Sequence, residues 1–450
     1  MKNKLKYIPI IMIISIVHLL SSCQEFLDDK PNKDIVVPKT AQDIEALLTN
    51  YSRFNINPLI TFVLGPDYET TTDQWNGLDP WQQNAYLWEE SIFAPLEGST
   101  DYKGIYRQIF YANISLDLIE EGISGPPEKI SELRGMAYFL RAYAYSNIAM
   151  LYLPIPNSSL DNGNYKMPLK LVSDINQRAT WVGVDEVYDQ IIKDLEIAIQ
   201  LLPTQIPNPI YANKTAAQAL LAQVYMVAGE FEQSAEMAEE VIDNGPELLD
   251  FNDLDSNLEY PFELFNQETL YYAKTDGKIS ITASSSTYIP EELYASYSND
   301  DLRKDLFFQT NEDGRQLFYG SYTGGYNLFT GISLSEAYLI GAESLFRIGE
   351  LEKGLELLNS LLEKRTKVGE FVPLETNNQE EALQWIWQER KKELVFRGRS
   401  WEDFKRMGRD GQGQTQASRT INGQEYTISP NDPRTIIRIP DKELELEGQL

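Results

Sequence analysis

The stretch Ser131–Pro156, SELRGMAYFLRAYAYSNIAMLYLPIP, limits what this chain can become more than any other. Between Gly135 and Leu153 the only charged residue is Arg141. Leu133, Ala137, Leu140, Ala144, Ile148 and Leu151 recur at helical spacing and mark one apolar face. Met136, Tyr138, Phe139, Tyr143, Tyr145 and Met150 fill the others, so the helix is apolar nearly all round. Such a helix is either buried in a large core or spans a membrane. Arg141, Ser146, Asn147 and several tyrosines sit near its middle, where each would be expensive in lipid. Pro154 and Pro156 then stop it, because proline lacks the N–H and clashes with the preceding turn. The spacing therefore predicts a central core helix over 131–153, with a buried partner for Arg141.

The segment before the fold is a leader. Lys2, Lys4 and Lys6 form a basic start, Ile8 to Leu20 a short apolar stretch, and Leu20-Ser21-Ser22-Cys23 ends it like a bacterial lipobox. Residues 1–22 are expected to be removed and Cys23 to carry lipid, with 23–39 as a tether. Loss of the three lysines takes the formal charge from −29 to −32. A surface this acidic repels phosphate backbones, so nucleic acid is excluded as a partner. Cys23 is the only cysteine and His18, in the leader, the only histidine. A chain processed in this way cannot run Ser-His-Asp or Cys-His chemistry or build a histidine metal site. No cofactor is implied, and no loop has calcium-ligand spacing.

Farther along, Thr40 with Asp43 reads as a capping box opening a helix to about Asn50. From Arg53 to Thr100 no helical period persists, and the run holds Trp75, Trp81 and Trp88 with Tyr68 and Tyr86. Helix resumes near Asp101 and runs to Gly122. After an irregular stretch from Asn157 to Val182, Val187, Ile191, Leu195, Ile199 and Leu202 form the stripe of another helix, closed by Pro203. An internal repeat links LAQVYMVAGEFEQSAEMAEEVI from Leu221 to GAESLFRIGELEKGLELLNSLL from Gly341. Ala222 answers Ala342, Gly229 answers Gly349 and Ser234 answers Gly354, small residues that let two antiparallel helices close on each other. This is the tetratricopeptide hairpin pattern. The class is all-α, tetratricopeptide-like hairpins with long irregular loops and little strand, in one domain over 40–450 with insertions near 53–100 and 246–330. The end of the chain reads as a charged helix, a turn at Gly398 and a short second helix, with Glu393 and Arg397 as an i,i+4 pair.

The run from Leu133 to Asn147, followed by Leu151-Tyr152 and Pro154-Ile155-Pro156, resembles the signature helix of the SusD/RagB family. Further blocks carry the same resemblance. They are Cys23, Phe26, Leu27, Asp28 and Pro31; Tyr188, Ile191, Asp194, Leu195 and Ala198; the piece Tyr297 to Arg303; and Glu389, Arg390, Glu393, Leu394, Phe396 and Gly398, with Trp401, Asp403 and Arg406. Arg397 and Ser400 depart from the pattern, and the tail keeps Ile439-Pro440 and Glu443-Leu444. The resemblance implies a lipid-anchored outer-membrane protein, exposed at the cell surface, that captures nutrient and works as a lid on a SusC-like TonB-dependent transporter. The acidic Glu25, Asp28 and Asp29 resemble a surface-export signal.

The expected ligand is an oligosaccharide or polysaccharide. A sugar ring offers an apolar C–H face and a rim of hydroxyls, so its site pairs flat aromatic platforms with planar hydrogen-bonding groups. Trp75, flanked by Asp73 and Asn76, is the leading candidate, followed by Trp81, Tyr86 and Trp88. Tyr288, Tyr294, Tyr319, Tyr322 and Tyr326 are candidates on the second run, the last two because neighbouring glycines should expose them. The site is expected where 53–100 meets 246–330. Packing under a loop is the ordinary role of any single one of these aromatics. Two alternatives stand beside this reading: capture of oligopeptides, as in some members of the family, and a glycoside hydrolase built on paired carboxylates. The 68 acidic residues make chance pairs too common to favour an enzyme.

Overall fold

The fold follows from burying the 131–153 stretch on all sides. A computed structural model describes residues 38–448 apart from 205, 207, 276–287, 412 and 414. The leader, Cys23 and most of the tether lie outside the described residues. Among those residues no helix is long and apolar enough to cross a membrane.

Five short helices open the fold: α1 (Ala41–Leu48), α2 (Tyr51–Phe54), α3 (Ile60–Leu64), α4 (Thr72–Asn76) and α5 (Pro80–Tyr86). The scaffold is α6 (Thr100–Glu121), α7 (Pro127–Tyr152), α8 (Val184–Leu201), α9 (Lys214–Ala228) and α10 (Phe231–Asn244). After α11 (Glu291–Ala295) and α12 (Arg303–Phe307) it continues with α13 (Leu334–Arg347), α14 (Leu351–Glu363), α15 (Gln379–Glu393), α16 (Ser400–Asp410) and α17 (Asp441–Leu446). The described strands form only two-stranded ladders, the longest being the hairpin Ala417–Ile421 with Gln424–Ile428. The all-α, hairpin-built class expected from the sequence is what the chain adopts.

The central helix α7 starts four residues earlier than its apolar run, because Pro127 occupies the first helical position, where a missing N–H costs nothing. It packs chiefly against α6 and α8. Arg141 is buried and finds its partner. Its Nε and Nη2 donate to the two Asp194 oxygens of α8 at 2.7 Å each, and its Nη1 donates to Asn113 Oδ1 of α6 at 2.9 Å. One guanidinium thus ties three helices. At the other end of α7, Lys405 Nζ of α16 donates to the carbonyls of Met150 and Leu153 at 2.7 and 2.6 Å, filling acceptors that a helix terminus leaves unpaired.

The internal repeat becomes two hairpins, α9–α10 and α13–α14. Gly229 and Gly349 take φ of +88° and +87° at the two turns, a left-handed geometry that favours glycine. Ser234 Oγ donates to the Ala222 carbonyl at 2.8 Å, while a side-chain carbon on Gly354 would lie 2.6 Å from Phe346. The hairpins join through α10 and α13, where Ser344 Oγ donates to Ser234 Oγ at 2.9 Å.

Two expectations change. The run 53–100 is not devoid of regular structure: it folds as α2 to α5, too short to show a period. Their boundaries are set by caps instead, Thr71 with Gln74 for α4 and Pro80 at the first position of α5. Glu393 and Arg397 are not a helical pair, because α15 ends at Glu393 and Phe396 turns to φ +53°.

Arg141→Met should cost about 3–5 kcal/mol of unfolding free energy, since it leaves Asp194 buried without its cation. Adding Asp194→Leu should recover most of that loss. Urea titration of both variants checks the pair, and a single variant within about 0.5 kcal/mol of the parent would show that the contact is dispensable.

Candidate functional site

The two aromatic runs do come together. Ile56–Asn57 pairs in parallel with Lys274–Thr275, Glu69 bridges to Tyr288, and Gln74 Nε2 donates to Tyr288 Oη at 3.2 Å. Close to this seam the chain leaves a groove of about 820 Å³. Pro66 and Asp67 from the first run, Pro290, Leu293 and Ser296 around α11, and one face of α15 line it.

The α15 wall follows from helical periodicity. Gln384, Gln388 and Lys391 lie at i, i+4 and i+7, so their side chains form one strip along the groove. Trp387 sits beside the strip, nearly buried, with Arg406 4.7 Å from its ring centre. Its indole N–H has no acceptor among the described residues. Two planar amides, an ammonium, a carboxylate and an indole thus converge, with proline and leucine supplying apolar surface. That combination suits a ligand presenting both hydroxyls and a C–H face.

Within the groove, Asp67 carries the sharpest electrostatic signature. Burial pushes its carboxyl up from 3.8 to about 6, and the nearby Lys391 ammonium, Ser400 hydroxyl and Arg419 only partly offset this. Around neutral pH it is an ionised carboxylate held at a cost, the condition in which a hydrogen-bonding ligand gains most.

The sequence candidates divide into groups. Tyr86, Trp88 and Tyr322 are buried and belong to the core rather than to a ligand face. Tyr86 and Trp88 have their ring centres 4.0 and 4.2 Å from the Arg419 guanidinium carbon, and the Trp88 N–H donates to the Leu64 carbonyl at 2.9 Å. Tyr322 lies 3.5 Å under Arg397 and donates to Glu268 at 2.9 Å. The glycines near Tyr322 do not expose it, because Gly320 packs straight onto Phe307. Tyr288 is buried at the seam under Arg315, which lies 5.0 Å from its ring centre.

Trp75 is half-buried on α4 between the exposed Asp73 and Asn76, and its N–H donates to the Gln83 carbonyl at 3.3 Å. Trp81 lines a different cleft. Tyr294 turns its ring edge to Phe308, Tyr319 lies against Tyr260, and Tyr326 projects into solvent with 57% of its surface exposed. Asp67, Gln384, Gln388, Lys391 and Trp387 escaped sequence reasoning. The amides and lysine read as an ordinary solvated helix face, and only the strip's convergence with Asp67 distinguishes them. Among the described residues no cluster of His, Cys, Asp and Glu is disposed to hold a metal.

Asp67→Asn should become more stabilising relative to the parent as pH rises from 4 to 6.5. The folded carboxyl keeps its proton up to about 6 while the unfolded one loses it near 3.8, so the parent alone loses stability across that window. Melting temperatures of both proteins across this range check it. A constant difference would mean that Asp67 titrates normally.

Comparison with known proteins places this architecture. A family model described as starch-binding, associating with the outer membrane, matches residues 25–226, and one described as the SusD family matches residues 251–445. SusD-like protein P2 of Formosa agariphila is 25% identical over 354 residues, covering 63% of this chain and 67% of that protein. A SusD superfamily protein from Bacteroides thetaiotaomicron superposes with a TM-score of 0.74 at 21% identity, over 91% of this chain and 98% of that one. A laminarin-binding SusD-like protein does so at 0.65 and 19%, over 90% and 97%. With the signature helix, the paired hairpins and two family models that together span most of the sequence, the chain belongs to the SusD/RagB family.

Proposed function

We propose that this protein is a lipid-anchored, surface-exposed outer-membrane protein that binds an oligosaccharide and passes it to a SusC-like TonB-dependent transporter. The observation that carries the binding reading is the groove, where amides, a raised carboxylate, an ammonium and an indole share one concave wall. Planar amides and a carboxylate satisfy vicinal sugar hydroxyls, while the apolar surface of Pro66, Pro290 and Leu293 covers a ring face. Burying one such face contributes roughly 1–2 kcal/mol, which gives reversible capture when repeated over a few rings. A laminarin-binding relative of the same fold supports a glycan in preference to a peptide. Binding, rather than hydrolysis, is the reading that the family supports. In this reading 40–450 acts as one binding domain, the seam between 53–100 and 246–330 borders the site, and Trp75, Asp73 and Asn76 would extend it along α4.

A glycan array followed by isothermal titration against the best hit tests the reading. Gln388→Ala and Lys391→Ala should each weaken binding by about tenfold, equivalent to about 1.4 kcal/mol, and the exposed Gln388 variant should melt close to the parent. Trp75→Ala should do the same if α4 extends the site. Unchanged affinity in all three variants would move the ligand elsewhere, and new reducing ends on incubation with the hit would instead make the protein an enzyme.

Anchoring rests on the Leu-Ser-Ser-Cys ending of the leader. Cys23→Ala should move the protein from the outer-membrane fraction to the soluble one. A variant that still sediments with membranes would mean that another anchor exists.

A further inference from the structure

A second cleft, of about 600 Å³, opens between the first two turns of α6, the segment 50–59 and the aromatic pair Trp81 and Phe93. The two rings are near-parallel, their centres 6.3 Å apart and their planes 21° apart, and both are half-buried, so they give the cleft an apolar wall. Two arginines line the same cleft. Arg53 lies flat on Tyr111, its guanidinium carbon 3.5 Å from the ring centre, so its face is fixed while its N–H edge stays available. Arg107 projects from α6 one turn before Tyr111 and is exposed. Gln108 holds this geometry, with Nε2 donating to the carbonyls of Arg53 and Ile56 at 2.8 and 2.9 Å.

Neither arginine takes part in any ion pair among the described residues, in a chain with 68 acids and 39 bases. The contrast with the interior is sharp, where Arg141, Arg303, Arg365 and Arg406 are each paired with carboxylates. The cleft is also lined by Asp79, Glu97 and Asp101, none of which forms an ion pair with Arg53 or Arg107. Asp101 Oδ2 accepts from the Ile60 N–H at 2.9 Å and Glu97 Oε2 from the Ala94 N–H at 3.0 Å, while Asp79 stands at the N-cap of α5. A guanidinium can donate to a neutral hydroxyl, but its stronger, charge-assisted bonds are reserved for an anion. An anion approaching a protein of formal charge −29 needs local cations of this kind.

We infer that this cleft is a second saccharide site, selective for an acidic sugar whose carboxylate or sulfate ester meets Arg53 and Arg107 while its ring lies on Trp81 and Phe93. The inference rests on the glycan-binding reading and adds a ligand class and a place to it. Titration of the intact protein with hexagalacturonate, with its fully methyl-esterified form, and with a sulfated oligosaccharide beside its desulfated form tests it. At least one acidic probe should bind about tenfold or more tighter than its neutral counterpart, and its affinity should fall as salt rises from about 50 mM to about 500 mM. Preference for the carboxylate or the sulfate arm identifies the anion.

Arg107→Gln and Arg53→Gln should each lower acidic-probe affinity by about tenfold and leave neutral-glycan binding in the α15 groove unchanged. Arg107 is exposed, so its variant should melt with the parent. Equal binding of charged and neutralised probes, or arginine variants that bind the acidic probe as the parent does, would overturn the inference. Binding of neutral glycans alone would sink this site and leave the groove standing. Binding of neither class would sink both.

Discussion

The structure hangs on a lattice of buried carboxylates and guanidinium groups centred on α15. Glu393 receives Arg365 and Arg303, Glu389 receives Arg303, and Arg390 reaches Asp403 of α16. Arg406 closes the circuit onto Glu343 of α13 and Asp403. Burial on its own would raise the Glu393 carboxyl, yet Arg365 and Arg303 hold it at about 2. Its contribution is present above the unfolded value near 4.5 and is lost as pH falls toward 2. Ion pairs of this kind gain little over an apolar filling, because every member surrendered its hydration. They impose geometry: each charge is satisfied only when α12, α13, α15, α16 and the loops carrying Glu268 and Arg365 are all in register.

The long irregular runs are held by a related device. Arg419, from the C-terminal hairpin, lies among Tyr68, Tyr86 and Trp88 and donates to the carbonyls of Val63, Tyr86 and Gly65. Backbone acceptors that no helix or sheet would satisfy are paired by one cation, and aromatic faces cover it. Arg397 is likewise covered by aromatic faces, lying on Tyr322 and within 5.0 Å of Phe329, but its guanidinium pairs no backbone acceptor among the described residues. The abundant aromatics of 53–100 and 246–330 are therefore divided between two tasks, a larger part anchoring loops and a smaller part left at the surface.

The scaffold was legible because its signals are local or periodic. The apolar run around Leu140, the need of Arg141 for a partner, the Thr40 cap and the glycines at 229 and 349 each act within a few residues, and each appears as read. Asp194, the partner of Arg141, stands 53 residues away, and only its place in a family-like block marked it out. Loop aromatics were less legible. Whether Trp88 or Trp75 faces solvent depends on Arg419 and Gln83, and no spacing near either tryptophan encodes those contacts. The groove was least legible, since Asp67, Pro290 and Gln388 converge from three distant segments.

The two faces of α15 differ in what they can tolerate over evolutionary time. Glu389, Arg390 and Glu393 point into the lattice, and a change at any of them strands a buried charge on at least one other element. Gln384, Gln388 and Lys391 point into the groove, and the two glutamines are exposed. Substitution at the two glutamines alters the chemistry of that wall without disturbing a buried ion pair. One helix thus carries a frozen register and a rewritable surface side by side.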